Sequence, residues 1–253
     1  LQAKAAVWPA GVARHICDSL DSTNAQALRL APTTPGPAWI LAYEQTAGKG
    51  RRARPWVSPR GNFHATLLLH PKDAAPQVAL RSFAAALALR EALVAVSNLP
   101  HAFSLKWPND VLLNGNKLAG ILLESTSSGQ GVAHLAIGIG VNLIAAPDAS
   151  MVEDGALKPV SLLGETGLRV EPETFLTHLA AAYDAWEDTL ATQGFAPLRA
   201  AWLSYAARLG QPIRARTGAA THHGIFETID ATGSLLLRTP HETLAIPAAE
   251  VFF

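Results

Sequence analysis

Three features of this 253-residue chain predict an α+β fold. Short strand runs joined by hairpin turns fill its middle, from residue 103 to 143. Two long helical patterns, over 77–96 and 172–194, flank them with apolar stripes. Past residue 210 four short strand-like runs follow one another, the pattern of a small β-barrel. Together they predict a mixed, mainly antiparallel sheet packed by helices. Residues 1–209 would form the main domain and 210–253 the barrel. At 49% hydrophobic and 16% charged, the chain has ample material for a core.

In order, Arg14–Asp18 reads as a short strand. Residues 21–31 read as a helix capped by Ser22 or Asn24. Ser22, Thr23 and Asn24 are equally suited to hold a polar ligand head. Trp39–Tyr43 is a buried strand, and Asn62–Leu69 alternates as another. Residues 70–76 are a loop before the helix Gln77–Val96. Its stripe is Val78, Leu80, Phe83, Leu87 and Val94. Phe103–Lys106 runs into a turn, Trp107-Pro108-Asn109-Asp110, where Pro108 ends the ladder. Val111–Leu113 and Lys117–Thr126 flank the hairpin signal Asn114-Gly115-Asn116. Gly129-Gln130-Gly131 marks a second hairpin.

In Val132–Leu143, residues Gly138, Gly140 and Asn142 fall on one face. Two glycines there predict something lying flat against them, backbone or ligand. Residues 144–158 are a loop, and 160–167 a short helix closed by Gly167. Pro172 opens the 172–194 helix and Gly194 closes it. Its inner stripe is Phe175, Leu179, Tyr183, Trp186 and Leu190. Pro197–Leu209 reads as a further helix, ended by Gly210. The barrel runs are Pro212–Thr217, His222–Ile229, Ser234–Arg238 and Leu244–Val251.

The stretch with the most chemistry is 44–56, EQTAGKGRRARPW. From Gln45 to Pro71 there is no Asp or Glu, while Lys49, Arg51, Arg52 and Arg54 crowd together. Like charges at this spacing repel, so such a loop is either solvated and mobile or built for an anion. Gly48 and Gly50 let backbone N–H groups turn on the same target. No Ser or Thr follows Lys49 as a phosphate-binding P-loop requires. Zero net charge argues against nucleic acid and for a small phosphorylated ligand. Lys106 and Lys117 stand out in otherwise apolar strands. The lone Cys17 excludes an internal disulfide and fits a reducing, cytoplasmic setting. No apolar run is long enough to span a membrane, and no signal peptide is visible. The histidines form no metal-binding pattern, so no structural metal is expected.

The basic stretch resembles the GRGRRGRxW signature of biotin–protein ligases. DSTN at 21–24, KWPND at 106–110, KLAGIL at 117–122 and GIGVNL at 138–143 follow in that family's order. Lys49 stands where the family often has Arg, and Ala53 where it often has Gly. Lys49 keeps the charge without the bidentate fork, and Ala53 restricts φ. Only 21 residues precede Ser22, too few for the DNA-binding domain of the family's repressors. The resemblance is therefore to the catalytic-only type.

The resemblance implies a class II aminoacyl-tRNA synthetase/biotin synthetase-like fold with an SH3-like barrel. It implies an ATP-dependent ligase that makes biotinyl-5′-AMP and passes biotin to a lysine of the acetyl-CoA carboxylase carrier protein. Ser22, Thr23, Asn24 and Gln45 would hold the ureido head, and Gly120, Gly138 and Gly140 would form the floor. Lys49, Gly50, Arg51 and Lys117 would take the carboxylate, with Lys117 and Arg51 catalytic. Arg54, Trp56, Lys106, Asn109, Asp110 and Asn142 would bind ATP, with Asp110 near Mg²⁺. No nucleic-acid or membrane partner is implied, and a homodimer stays open. Two alternatives remain: a lipoate ligase of the same fold, and a non-enzymatic biotin sensor.

Overall fold

The computed structural model describes residues 6–129, 131–148, 150, 152–153, 155–218 and 220–253. Gln130 of the predicted second hairpin, and Ala149, Met151 and Asp154 of the predicted 144–158 loop, lie outside the described residues.

Alternating and fully apolar runs pair into a seven-stranded sheet. Its strands are β1 (Ala13–Cys17), β2 (Ala38–Ala42), β3 (Phe63–Leu69), β4 (Phe103–Lys106), β5 (Asp110–Leu113), β6 (Asn116–Ser128) and β7 (Gly131–Val141). Their order is β1-β2-β3-β7-β6-β5-β4. Only β1 and β2 run parallel; every other pair is antiparallel. Asn114 and Gly115, both at positive φ, make the two-residue hairpin between β5 and β6.

Period-two alternation gives the sheet two different faces. Ile40, Leu68 and Ala136 pack on Ala27 of helix α1 (Thr23–Leu30) and on Ala31 at its C-cap. Trp39, Leu41, Phe63 and Leu67 face a larger core on the other side. That core is built on α2 (Ala75–Ala79), α3 (Arg81–Ser97), α4 (Leu162–Thr166), α5 (Pro172–Gln193) and α6 (Phe195–Ser204).

Two of the predicted helices differ from expectation in more than their end residues. The 77–96 helix is two helices meeting at Leu80, and it starts at Ala75 because Pro76 suits a first turn. Instead of a stripe, every residue from Phe83 to Arg90 is buried, because α3 lies between the sheet and α5 and α6. Its alanines allow that close approach. The 197–209 helix runs instead from Phe195 to Ser204. Past it, Ala207 N–H donates to Leu105 O and Leu105 N–H to Tyr205 O, so the chain leaves the helix to cover the edge strand β4.

The C-terminal segment has five strands, not four: β8 (Pro212–Arg216), β9 (Thr221–Ile229), β10 (Leu235–Arg238), β11 (Thr243–Ile246) and β12 (Glu250–Phe252). The run 244–251 divides because Pro247 cannot donate to a ladder. Their order, β11-β10-β9-β8-β12, puts β11 and β12 at opposite ends. Four strand spacings in a flat sheet would separate those ends by about 19 Å. The four steps from Ile246 to Glu250 reach at most about 14 Å. The sheet must therefore curl into a barrel. It shares the main core through Trp202 against Phe226, and Trp107 Nε1 donates to Gly233 O at 3.1 Å.

Candidate functional site

Strand register places the chemistry. His64, Gly140, Gly120, Asp110 and Lys106 are successive cross-strand partners along one row of the sheet. They share the face that carries α1. A regular strand would point Lys117 to the opposite face from Gly120. A bulge corrects this: Val111 pairs with Ala119 and Leu112 with Lys117, leaving Leu118 unpaired. The extra residue re-aims Lys117 onto the Asp110 face.

The basic loop folds as a small hairpin. Trp56 N–H donates to Gly48 O at 2.9 Å, and Gly50 N–H to Arg54 O at 2.8 Å. Its tip is one tight turn with Arg52 and Ala53 at φ 56° and 58°. Gly48 is required by contact, since a Cβ there would lie 2.6 Å from Trp56 O.

These elements enclose a cavity of about 510 Å³, and every site residue predicted from sequence lines it. One end is polar and uncharged. Ser22 caps α1, accepting from Ala25 N–H at 3.4 Å, as the capping reading expects, and it also lines the cavity. Gln45 Oε1 accepts from Thr23 N–H at 2.8 Å and from its hydroxyl at 3.1 Å, while Nε2 donates to Ser58 at 2.9 Å. Asn24 donates to Glu124 at 2.8 Å and accepts from Thr66 at 2.6 Å. Ser58, Thr66 and Glu124 went unrecognised in the sequence, although Thr66 sits in the predicted alternating strand.

The two floor glycines make room for the protein's own side chains. A Cβ on Gly138 would lie 2.2 Å from Asn24 Oδ1, and one on Gly140 would lie 2.5 Å from the Trp56 ring. What lies flat against them is thus side chain, Asn24 on Gly138 and Trp56 on Gly140, beside the cavity that both glycines line. Trp56 also borders Gly120, and its Nε1–H is buried without an acceptor.

The other end is cationic. Lys117 Nζ lies 2.8 Å from Asp110 Oδ1 and Lys106 Nζ 3.6 Å from Oδ2. Lys117 is off the line a hydrogen bond needs, so Oδ1 has a charge partner but no aligned donor. Burial pushes the Asp110 carboxyl up, but Lys117 and Lys106 outweigh it and hold it below its ordinary value. Burial lowers the Lys106 ammonium, partly countered by Asp110. Arg51, lowered by burial, donates to Asn109 Oδ1 at 3.4 Å and to Ala249 O at 3.2 Å. Asn142 is buried, its amide donating to Val160 O at 3.1 Å.

Two of the loop cations depart from the expectation of unpaired, mutually repelling charges. Arg52 and Arg54 both pair with Glu250, and Arg54 also with Glu153. Glu153, Glu250 and Phe252 line the cavity but gave no signal in sequence, because only tertiary folding brings β12 and the 144–158 loop to it. The donors do not suit a protein-held Mg²⁺. Asp110 is already neutralised by two lysines, and among the described residues no three His, Cys, Asp or Glu side chains cluster. Mg²⁺ is treated below as part of the nucleotide substrate.

An uncharged polar cup opening onto a patch of lysines and arginines suits a ligand with a neutral polar head and an anionic end. Comparison with known proteins is specific. The Biotin/lipoate A/B protein ligase family model matches residues 16–142, and the biotin protein ligase C terminal domain model matches 209–253. The chain is 60% identical over 233 residues to the biotin--[acetyl-CoA-carboxylase] ligase of Paracoccus denitrificans, covering 92% of this chain and 97% of that protein. It is 32% identical over 238 residues to the bifunctional ligase/repressor BirA of Bacillus spizizenii, covering 92% of this chain and 72% of that one. The fold is that of the biotin protein ligase from Aquifex aeolicus in complex with biotin and ATP. The TM-score is 0.79 at 23% identity, over 94% of this chain and 98% of that chain. This chain belongs to the biotin/lipoate A/B protein ligase family.

Proposed function

We propose that this chain activates biotin with ATP and transfers it to a lysine of the acetyl-CoA carboxylase carrier protein. The observation that carries this is the single cavity with a pre-wired polar cup at one end and Lys106, Lys117 and Arg51 at the other. The 60% identity to a biotin--[acetyl-CoA-carboxylase] ligase supports it. So does a fold shared with a protein solved with biotin and ATP bound.

Biotin's ureido ring offers donors and acceptors without charge, which suits Ser22, Thr23, Asn24 and Gln45. Its carboxylate then points to the cationic end, where Lys49, Gly50, Arg51 and Lys117 neutralise it. ATP enters as its Mg²⁺ complex beside Trp56, Lys106, Asn109, Asp110 and Asn142, with Arg54 at the rim of the cavity, held by Glu250 and Glu153. The carboxylate oxygen attacks the α-phosphorus, and the bond to the bridging oxygen breaks to release pyrophosphate. Catalysis of such a step is positioning plus electrostatic stabilisation, supplied by Lys117 and Arg51. Asp110 keeps Lys117 aimed at that point. The carrier amine then attacks the acyl carbonyl, and AMP leaves with the former carboxylate oxygen.

The polar cup favours biotin over lipoate, whose dithiolane offers no donor and only weak sulfur acceptors to Ser22, Thr23, Asn24 and Gln45. ATP-dependent modification of a carboxylase subunit and the lone Cys17 suit the cytoplasm. No described helix is long and apolar enough to cross a membrane. The test is to incubate the protein with biotin, MgATP and a carrier domain, then weigh the carrier. A gain of one biotinyl group that requires ATP is expected. No gain, or preferential attachment of lipoate, overturns the reading.

A further inference from the structure

From Gln45 onward the basic loop has no acid of its own, so the charge of its arginines is matched from elsewhere in the chain. Arg52 Nη1 lies 2.8 Å from Glu250 Oε2, and Arg54 pairs with Glu250 Oε1. Arg54 Nη2 also lies 2.8 Å from Glu153 Oε2. Arg216, the cross-strand partner of Glu250, lies 2.6 Å from Glu250 Oε2 and pairs with Glu153 as well. One residue earlier, Ala249 O accepts from Arg51 at 3.2 Å. Contacts from three arginines of the loop, Arg51, Arg52 and Arg54, thus end on two adjacent residues of the barrel, Ala249 and Glu250. Single exposed ion pairs contribute little, but here three arginines converge on two carboxylates as a network.

We propose that Glu250 is a positioning residue for the ligation: it anchors Arg52 and Arg54 to the barrel strand β12, so that Arg51 and Lys49 stay turned to the substrates. Arg54 then acts through Glu250, and the barrel completes the closure of the site. This rests on the adenylation reading above. A loop tied down this way keeps a water-labile mixed anhydride covered between the two half-reactions. An untied loop opens more often and lets it escape.

The experiment pairs Glu250→Gln with Arg54→Gln, singly and together, after melting curves confirm folding. Hydrogen exchange of residues 48–56 in the ligand-free protein reads the anchor whether or not the chain adenylates biotin. Exchange in that hairpin should speed up about tenfold in each single variant and no further in the double. In the kinetic arm, KM for ATP should rise about tenfold and free biotinyl-AMP should accumulate, again without multiplication in the double variant. Glu250→Asp, which keeps the charge, should recover most of both. Unchanged loop exchange in Glu250→Gln overturns the anchor. A double variant impaired about a hundredfold, the product of the singles, overturns it too and assigns Arg54 its own contact with the nucleotide. A wild-type protein that makes no adenylate sinks the functional reading instead, and the exchange result still decides the anchor.

Discussion

Lys117 reaches Asp110, Nζ to Oδ1 at 2.8 Å, because a one-residue bulge at Leu118 rotates it onto that face of the sheet. The pair has two separable jobs, and substitution should separate them. Lys117→Gln should lower biotin-dependent adenylation by about 10²-fold or more, as loss of one preorganised charge donor does. Pyrophosphate exchange measures this. Asp110→Asn should instead cost about 3 kcal/mol of stability, because it strands Lys106 in a buried site while Lys117 remains partly solvated. Denaturant melts measure that. A Lys117→Gln variant with normal exchange would remove Lys117 from the chemistry.

Gly138 and Gly140 should tolerate no side chain. Gly140→Ala would put a Cβ 2.5 Å from the Trp56 ring and push the indole into the cavity. Its expected cost is about 1–3 kcal/mol, with a changed tryptophan fluorescence maximum. Gly138→Ala meets Asn24 Oδ1 at 2.2 Å and should raise KM for biotin more than KM for ATP. Equal effects on both substrates would count against a polar cup at Asn24.

Acid should weaken the fold in two steps. Burial lowers the His64 imidazole from 6.5 to about 4, so between those pH values the unfolded chain binds a proton that the folded chain does not. Stability is therefore lost as pH falls from 6.5 toward 4, by about 3 kcal/mol in all. The Asp110 carboxyl, held below its ordinary value, contributes stability above about pH 4 that disappears as pH falls through its folded value. Melting temperature against pH should show the first step, and His64→Leu should flatten it. An unaltered slope would exclude His64 as its source.

Ala53 sits at φ 58°, a region where a Cβ is unfavourable. Ala53→Gly should relieve up to about 1 kcal/mol of strain at the loop tip. The readout is slower hydrogen exchange at residues 51–54. Faster exchange would mean that backbone freedom outweighs the strain.

Much of this was legible because short-range chemistry encodes it. Asn114-Gly115 fixed a hairpin, Pro172 and Gly194 bounded α5, and the acid-free stretch after Gln45 marked the loop. The glycines at 138 and 140 announced a close approach, but not that Asn24 and Trp56 make it. The bulge at Leu118 left no trace, since it depends on which residues of β5 and β6 pair. Glu153 and Glu250 were invisible for a related reason. They lie 99 and 196 positions from Arg54, and only the completed fold sets them against it. The α3 stripe was misjudged because sequence shows one apolar face and not how many neighbours will cover a helix.

The most direct test follows one atom. Biotin carrying heavy oxygen in its carboxylate is incubated with the protein, unlabelled ATP and carrier domain in ordinary water. If the carboxylate attacks the α-phosphorus in this cavity, the AMP released on transfer carries one heavy oxygen. Unlabelled AMP, or ADP as the nucleotide product, would contradict it.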